Sequence, residues 1–437
     1  MESAFINRKQ EIAELDKLER KKGLIALYGR RRIGKTRLLI HWLSMHTLSF
    51  YSQAIEGNRS LQLEQIFNDI NIQLKSPIVP KTWQELFALL ENYKEDILFC
   101  IDEFPYLVKE DASIPSIFQK WLDHKKKKNI TLILAGSSTH MMHNIFLNAE
   151  APLYGRALKL LRINPLSYRD FCAAFKLDPR RAENFTKFSI VGGIPKYWEL
   201  IDIRQSPREI VDDLFFSYAP YMEEEPKKIL YDENVYGINP VNLLETIGRG
   251  CQKPSEMASR LNTVQSNISR VLQQLLDVNI ITREIPFGES TKTTKLTLYK
   301  IQDPCIRFWY NVYSPHRVRW HYYNEEQKNL LIHEHTGTVF EDYWRILFPG
   351  SSRFWERDIE FDLVSFSLHN PKELIVAEVK WKKLTQKEKE TILSQLSYKW
   401  QQSRLSQKYP KVRFHLFDQA SLGIDEVINK PVPFRTM

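Results

Sequence analysis

The stretch that most narrows what this chain can fold into is Gly23 to Leu43, GLIALYGRRRIGKTRLLIHWL. It opens with an uninterrupted apolar run ending in glycine, passes through a polar loop bounded by glycines, and resumes with apolar residues at helical spacing. A short apolar run with such flanks reads as a strand buried on both faces. Two more runs follow, DILFCIDEF from Asp96 and ITLILAGSS from Ile130, each ending in polar or acidic residues. Fully apolar strands alternating with helices specify a parallel sheet covered on both sides, hence an α/β fold.

The loop between the first strand and its helix carries the chemistry. Gly29, four residues, then Gly34, Lys35 and Thr36 is the spacing of a phosphate-binding loop. Glycines let backbone N–H groups converge on phosphate oxygens, and the start of the helix adds partial positive charge. Lys35 is placed to reach the β- and γ-phosphates and Thr36 to ligate Mg²⁺, so ATP and Mg²⁺ are the expected cofactors. The second apolar run delivers Asp102 and Glu103 at a strand end, Asp102 for Mg²⁺ and Glu103 for the attacking water. The third delivers Ser137 and Ser138, a hydroxyl of Ser137 being placed to sense the γ-phosphate. Arg30, Arg31 and Arg32 are expected to project outward as a positive rim of the site mouth.

The rest of the chain bounds the class. With 437 residues, several domains are expected. A formal net charge of +9 favours a polyanionic partner, nucleotide or DNA. Four scattered cysteines without CxxC spacing fit a reducing cytoplasm. No segment approaches the roughly 18 uninterrupted apolar residues of a membrane span, so no membrane partner is expected, whereas a protein partner and self-association stay open. The run Lys125 to Lys128 reads as a solvated helix end. Composition and pattern divide the chain into an α/β nucleotide core (1–160), a helical lid (161–235), a middle domain (236–302) and a C-terminal α/β domain (303–437), with the acidic, turn-rich 221–240 at one boundary.

In the middle domain, a short helix from Ser255 to Leu261 is followed by a turn and a second helix with Ile268, Val271, Leu272 and Leu275 on its apolar face. Two strands then flank a Gly-Ser-Thr-Lys turn. This resembles a winged helix-turn-helix, which leaves Gln265, Ser266, Ser269, Arg270 and Gln273 on the open face for bases or phosphates; a rigid spacer is the competing reading. In the C-terminal domain, Asp362 lies in IEFDLVSF, and Glu378 and Lys380 share one face of ELIVAEVKW. Two carboxylates and a lysine suit metal-assisted phosphodiester hydrolysis, with Asp362 and Glu378 on the metal, Lys380 at the water, and Glu341 from an upstream helix as a further ligand. The pattern resembles the PD-(D/E)XK, restriction-endonuclease-like fold over residues 330–420.

Six segments in order, FINRKQEI, GRRRIGKT, FCIDEF, LILAGSS, PLYGR and VGGIPKYW, resemble the AAA+-like, STAND-related P-loop ATPases of archaea and bacteria. The resemblance implies ATP hydrolysis, a lid helix beginning at Gly192 to Pro195, and Arg156 of PLYGR as a γ-phosphate partner in catalysis. That family usually has glycine where this chain has Asn7. The combined expectation is an ATPase with a DNA-linked, nuclease-like C-terminal domain. The alternatives are a STAND-like switch whose nuclease-like domain only docks a partner, and a winged-helix regulator controlled by ATP.

Overall fold

The computed structural model describes residues 5, 7–124, 129–290, 292, 294–367, 370 and 372–423. Lys125 to Lys128, and Thr291 and Thr293 of the hairpin turn, lie outside the described residues. The chain divides into two compact units.

The first unit contains Met1–Leu166, Ile194–Lys196 and Ile229–Asn234. Five strands, β1 (Leu24–Tyr28), β2 (Ser49–Gln53), β3 (Ile97–Asp102), β4 (Ile130–Gly136) and β5 (Ala157–Arg162), form a parallel sheet in the order β2-β3-β4-β1-β5. The three inner strands are buried along their whole length, as their apolar runs require. The edge strands alternate buried and open positions or stay half-exposed. On one face, Phe50, Phe67, Trp83, Phe87, Phe99, Phe104 and Phe118 close the core. Each contributes about 2–3 kcal/mol of burial. Because all strands run the same way, the ends of β1, β3 and β4 open on one sheet edge, where such folds bind ligands.

The second unit contains Ser167–Gly193, Tyr197–Lys228 and Val235–Met437. It begins with helices, among them Tyr168–Phe175, started by a Ser167–Asp170 capping box. Three helices, Ile238–Gly248, Pro254–Arg260 and Gln265–Asp277, precede an antiparallel pair, β6 (Ile281–Glu284) and β7 (Leu298–Ile301). A long helix, Glu325–Leu347, leads into a sheet of β8 (Ser352–Glu356), β9 (Ile359–Phe366), β10 (Glu373–Val379) and β11 (Lys411–Phe417), with helix Gln386–Gln402 between the last two. The order is β11-β10-β9-β8; β8, β9 and β10 are antiparallel and β11 joins β10 in parallel. Phe287, just beyond β6, is buried in the same apolar cluster as Phe354, Phe361, Leu374 and Trp400, and its N–H donates to the Arg353 carbonyl at 2.8 Å. The hairpin turn therefore shares a core with the C-terminal sheet. Among the described residues, no helix is long and apolar enough to cross a membrane.

Candidate functional sites

The loop from Gly29 to Gly34 turns sharply between β1 and helix Lys35–Leu43. A Cβ on Gly29 would stand 2.7 Å from the Ile163 carbonyl oxygen, and Gly34 has φ 92°, so both positions need glycine. Lys35 is 5% exposed. Its Nζ donates to the carbonyls of Gly29 at 2.8 Å and Arg30 at 3.3 Å. Burial pushes the ammonium below its ordinary value, against the pull of Glu103, Asp102 and Glu233. A buried cation hydrogen-bonded to loop carbonyls is poised for a charged oxygen, which binds it about twice as strongly.

Asp102 is fully buried. One of its oxygens accepts from the Thr36 hydroxyl at 2.6 Å and from Tyr51 at 3.1 Å, the other from the Glu103 N–H at 2.9 Å. A hydroxyl and a carboxylate side by side are the hard oxygen pair that Mg²⁺ takes beside a nucleotide. Glu103 sits in the left-handed region at φ 53°, at a cost of about 1–2 kcal/mol. Its carboxylate accepts from both the hydroxyl and the N–H of Ser137, at 2.8 and 3.2 Å. Ser138 caps helix Thr139–Phe146. Gly136 gives these serines their place, because a Cβ there would meet Pro105 and Met142 at 2.7 Å. Ser137→Ala should leave nucleotide affinity within about twofold and lower turnover about tenfold, since it frees Glu103 without changing charge. Equilibrium binding and phosphate release measured on one preparation check this.

Arg156 is elsewhere in its contacts. It forms a two-pronged pair with Asp123 at 3.0 and 2.9 Å and donates to the Pro152 carbonyl. None of these partners belongs to the loop. Two contributors escaped the sequence reading. Arg8, 5% exposed, donates to the Ile33 carbonyl inside the loop at 2.8 Å and to the Asn164 carbonyl at 2.7 Å, bracing the loop from beneath. Asn7, beside it, has φ 51°, a conformation that asparagine tolerates and glycine adopts freely. The second is the acidic segment: Asp232 pairs with Arg31 at 2.7 Å, so that arginine is not a free rim charge.

In the second unit, helix Glu325–Leu347 and strands β9 and β10 bring Glu341, Asp362, Glu378 and Lys380 together. Asp362 accepts from the Val379 N–H at 2.8 Å. Lys380 donates to Glu378 at 2.7 Å and stands 3.6 Å from Asp362. Burial, and then the charge of Asp362, push Glu341 up to about 7 and raise Glu378 as well. Lys380 already pairs with Glu378, and Arg345 stands 3.6 Å from Glu341. Among the described residues no group of three His, Cys, Asp or Glu side chains is arranged to hold a metal. Lys380 and Arg345 thus already stand among the three carboxylates expected as ligands. A cleft of about 660 Å³ opens here, lined by Glu341, Lys380, Lys382 and Lys387 among others.

Beside the cluster runs a buried ion network. Asp342 is 18% exposed and meets Arg307 at 2.7 Å, Arg345 at 2.6 Å, and Lys300 of β7. Lys300 also pairs with Glu284 of β6, and Arg345 donates to the Asp362 carbonyl at 2.9 Å. The β6–β7 hairpin is therefore pinned beside the carboxylate cluster. The polar face of helix Gln265–Asp277 is open, with Gln265, Ser266, Ser269, Arg270 and Gln273 all exposed.

A five-stranded parallel sheet with this loop, buried lysine and strand-end acidic pair gives the first unit a P-loop fold with the geometry of a nucleotide site. Residues 5–201 match the family model described as an ATPase domain predominantly from Archaea. Residues 309–392, which hold Glu341, Asp362, Glu378 and Lys380, match a model for archaeal and bacterial proteins of unknown function. An uncharacterized protein of Methanocaldococcus jannaschii is 28% identical over 417 residues, covering 90% of this chain and 91% of that one. The Walker-type ATPase of Pyrococcus abyssi shares the fold, with TM-score 0.53 and 19% identity over 71% of this chain and 97% of its own. A looser likeness, with TM-score 0.44 and 14% identity, covers 77% of this chain and 97% of the Aeropyrum pernix ORC2 protein, solved with ADPNP and ADP.

Proposed function

We propose that the chain hydrolyses ATP in its first unit and acts on DNA through a metal-dependent phosphodiester-cleaving site in its second. In the ATPase site, backbone N–H groups of the loop and Lys35 take phosphate charge. Thr36 and Asp102 would hold Mg²⁺, which would neutralise phosphate charge, and Glu103 would orient water and accept its proton. Ser137 keeps Glu103 aimed.

One observation carries the nuclease reading. Helix Glu325–Leu347, β9 and the end of β10 bring Glu341, Asp362, Glu378 and Lys380 together, and Glu341 and Lys380 line a cleft with Lys382 and Lys387. Carboxylate oxygens beside a lysine are the donor types that a divalent metal and an activated water call for, and to take a metal here Glu378 and Glu341 would have to exchange Lys380 and Arg345 for it. The metal, when bound, would supply Lewis-acid charge at the phosphodiester. In this chain Asp362 is fixed by the Val379 N–H, and Lys380 would exchange its carboxylate partner for the incoming phosphate. The helical triplet and hairpin of 238–301 support the winged helix-turn-helix reading, with the open helix face rather than the hairpin turned to DNA.

The test is supercoiled plasmid with Mg²⁺ or Mn²⁺, with and without EDTA. Metal-dependent nicking, lost by at least about 100-fold in Asp362→Ala, is expected. Salt-dependent binding with no cleavage would replace this reading with an ATP-controlled regulator. Neither binding nor cleavage would leave a STAND-like switch with a docking domain, which the Lys380–Glu378 pair favours because it already neutralises the cluster.

A further inference from the structure

The segment Ile229–Asn234 follows the second unit's residues in sequence yet packs in the first. It carries two carboxylates to the phosphate loop. Asp232 pairs with Arg31 at 2.7 Å, and Arg31 also donates to the Tyr106 hydroxyl. Glu233, 3% exposed, accepts from the Thr139 N–H at 2.9 Å and from its hydroxyl at 3.4 Å. Burial raises the Glu233 carboxyl to about 7, while backbone N–H groups of Thr139 and His140 and the charges of Arg30 and Lys35 favour its ionised form.

Three things stand out about this pair. A carboxylate buried at this depth is costly without partners, and Glu233 has a helix start as its hydrogen-bond partner while Asp232 beside it pairs with the loop's Arg31. The helix it caps begins directly after Ser137 and Ser138, and Ser137 is the residue that holds Glu103. The acidic pair also supplies, inside the site, the kind of charge that a nucleotide's phosphates would bring from outside.

We propose that Asp232 and Glu233 are a tethered anion that engages the loop arginines before nucleotide binds and yields them to the triphosphate, making the 229–234 segment the nucleotide sensor of the ATPase site. This rests on the first unit being an ATP site. A triphosphate carries several charges and accepts from an arginine in two-pronged fashion, so it outcompetes a single carboxylate for Arg30 and Arg31. Once they turn to phosphate, like charges repel Asp232 and Glu233 from the site. The segment then moves, and the chain on both sides of it belongs to the second unit. The same displacement alters the start of helix Thr139–Phe146 and hence the aim of Glu103 through Ser137. The device thus has an output along the chain and one at the catalytic water.

The experiment uses the full chain and a non-hydrolysable ATP analogue with Mg²⁺. Asp232→Asn keeps side-chain shape, and Glu233→Gln retains an oxygen for the Thr139 N–H, so both variants should fold. Each should bind the analogue about three- to tenfold more tightly than wild type, because the competing anion is gone. In wild type, amide hydrogen exchange of residues 229–234 should rise at least severalfold when the analogue binds. Affinity equal to or weaker than wild type in both variants overturns the proposal, and so does unchanged exchange in this segment. Lys35→Ala run in parallel separates this from a failure of the ATP site itself: if that variant loses nucleotide and Asp232→Asn behaves as wild type, the site stands and the sensor falls.

Discussion

Lys35→Ala is expected to weaken ATP binding by about 100-fold or more, and Glu103→Gln to leave binding nearly intact while turnover falls about 100- to 1000-fold. The first estimate follows from losing charge-assisted bonds to phosphate worth about 1.5–3 kcal/mol each. Lys35 is nine-tenths buried or more and already directed by the Gly29 and Arg30 carbonyls, so little reorganisation offsets the loss. The second follows from the role proposed for Glu103, orienting the attacking water rather than binding phosphate; an amide can hold the Ser137 hydroxyl but cannot take a proton. Titration with a labelled nucleotide and a phosphate-release assay separate the two effects. Wild-type turnover in both variants would remove the loop and the acidic pair from the chemistry. Tight binding with unchanged turnover in Glu103→Gln would move the base elsewhere and leave the loop in place.

How far the sequence foretold this site depends on distance along the chain. β1, β3 and β4 were readable because strands buried on both faces become apolar runs. β2, SFYSQ, and β5, ALKLLR, carry no such signature, since edge strands expose part of each face. The loop glycines were readable because their spacing is local. Asp102, Glu103 and Ser137 followed from the strand ends that a parallel sheet must bring to one edge. The Arg31–Asp232 pair could not be read, because it joins residues 201 apart and no local pattern selects one acid among several in YMEEEPKKILYDENV. The segment looks like a linker by composition, yet its residues 229–234 pack in the first unit beside the loop. The same limit applied to the hairpin. Its strands and polar turn resemble a wing, and the sequence did not show that Phe287 is buried with Phe354 and Phe361. One apolar residue in a turn gives no sign of which sheet it will enter.

The C-terminal cluster shows the same division, and it carries the largest expected effect on stability. Glu341 was legible through its helix and its motif, but Asp342, one residue on and pointing about 100° away around the helix axis, was not. Yet Asp342 is the hub that holds Lys300, Arg307 and Arg345, which are 16%, 7% and 11% exposed. Asp342→Ala should therefore destabilise the second unit by about 3 kcal/mol, because it leaves three crowded cations without their common anion. Burial alone would raise this carboxyl; the charges of Lys300, Arg307 and Arg345 overcome that and hold it well below its ordinary value. A carboxyl depressed in the folded state stabilises above its unfolded value, near pH 4, and that contribution is lost as pH falls towards the folded value. Asp342→Asn should accordingly lose stability at pH 7 and show a flatter acid limb below about pH 4 than wild type. Urea unfolding across pH, read by hydrogen exchange in residues 325–347 and in β1, measures both. If the loss appears in 325–347 while β1 keeps its protection, the network is local to the hairpin and the carboxylate cluster. Asp342→Ala with wild-type stability would mean that the cations find water instead, and the hairpin would then be held by Phe287 and its apolar neighbours.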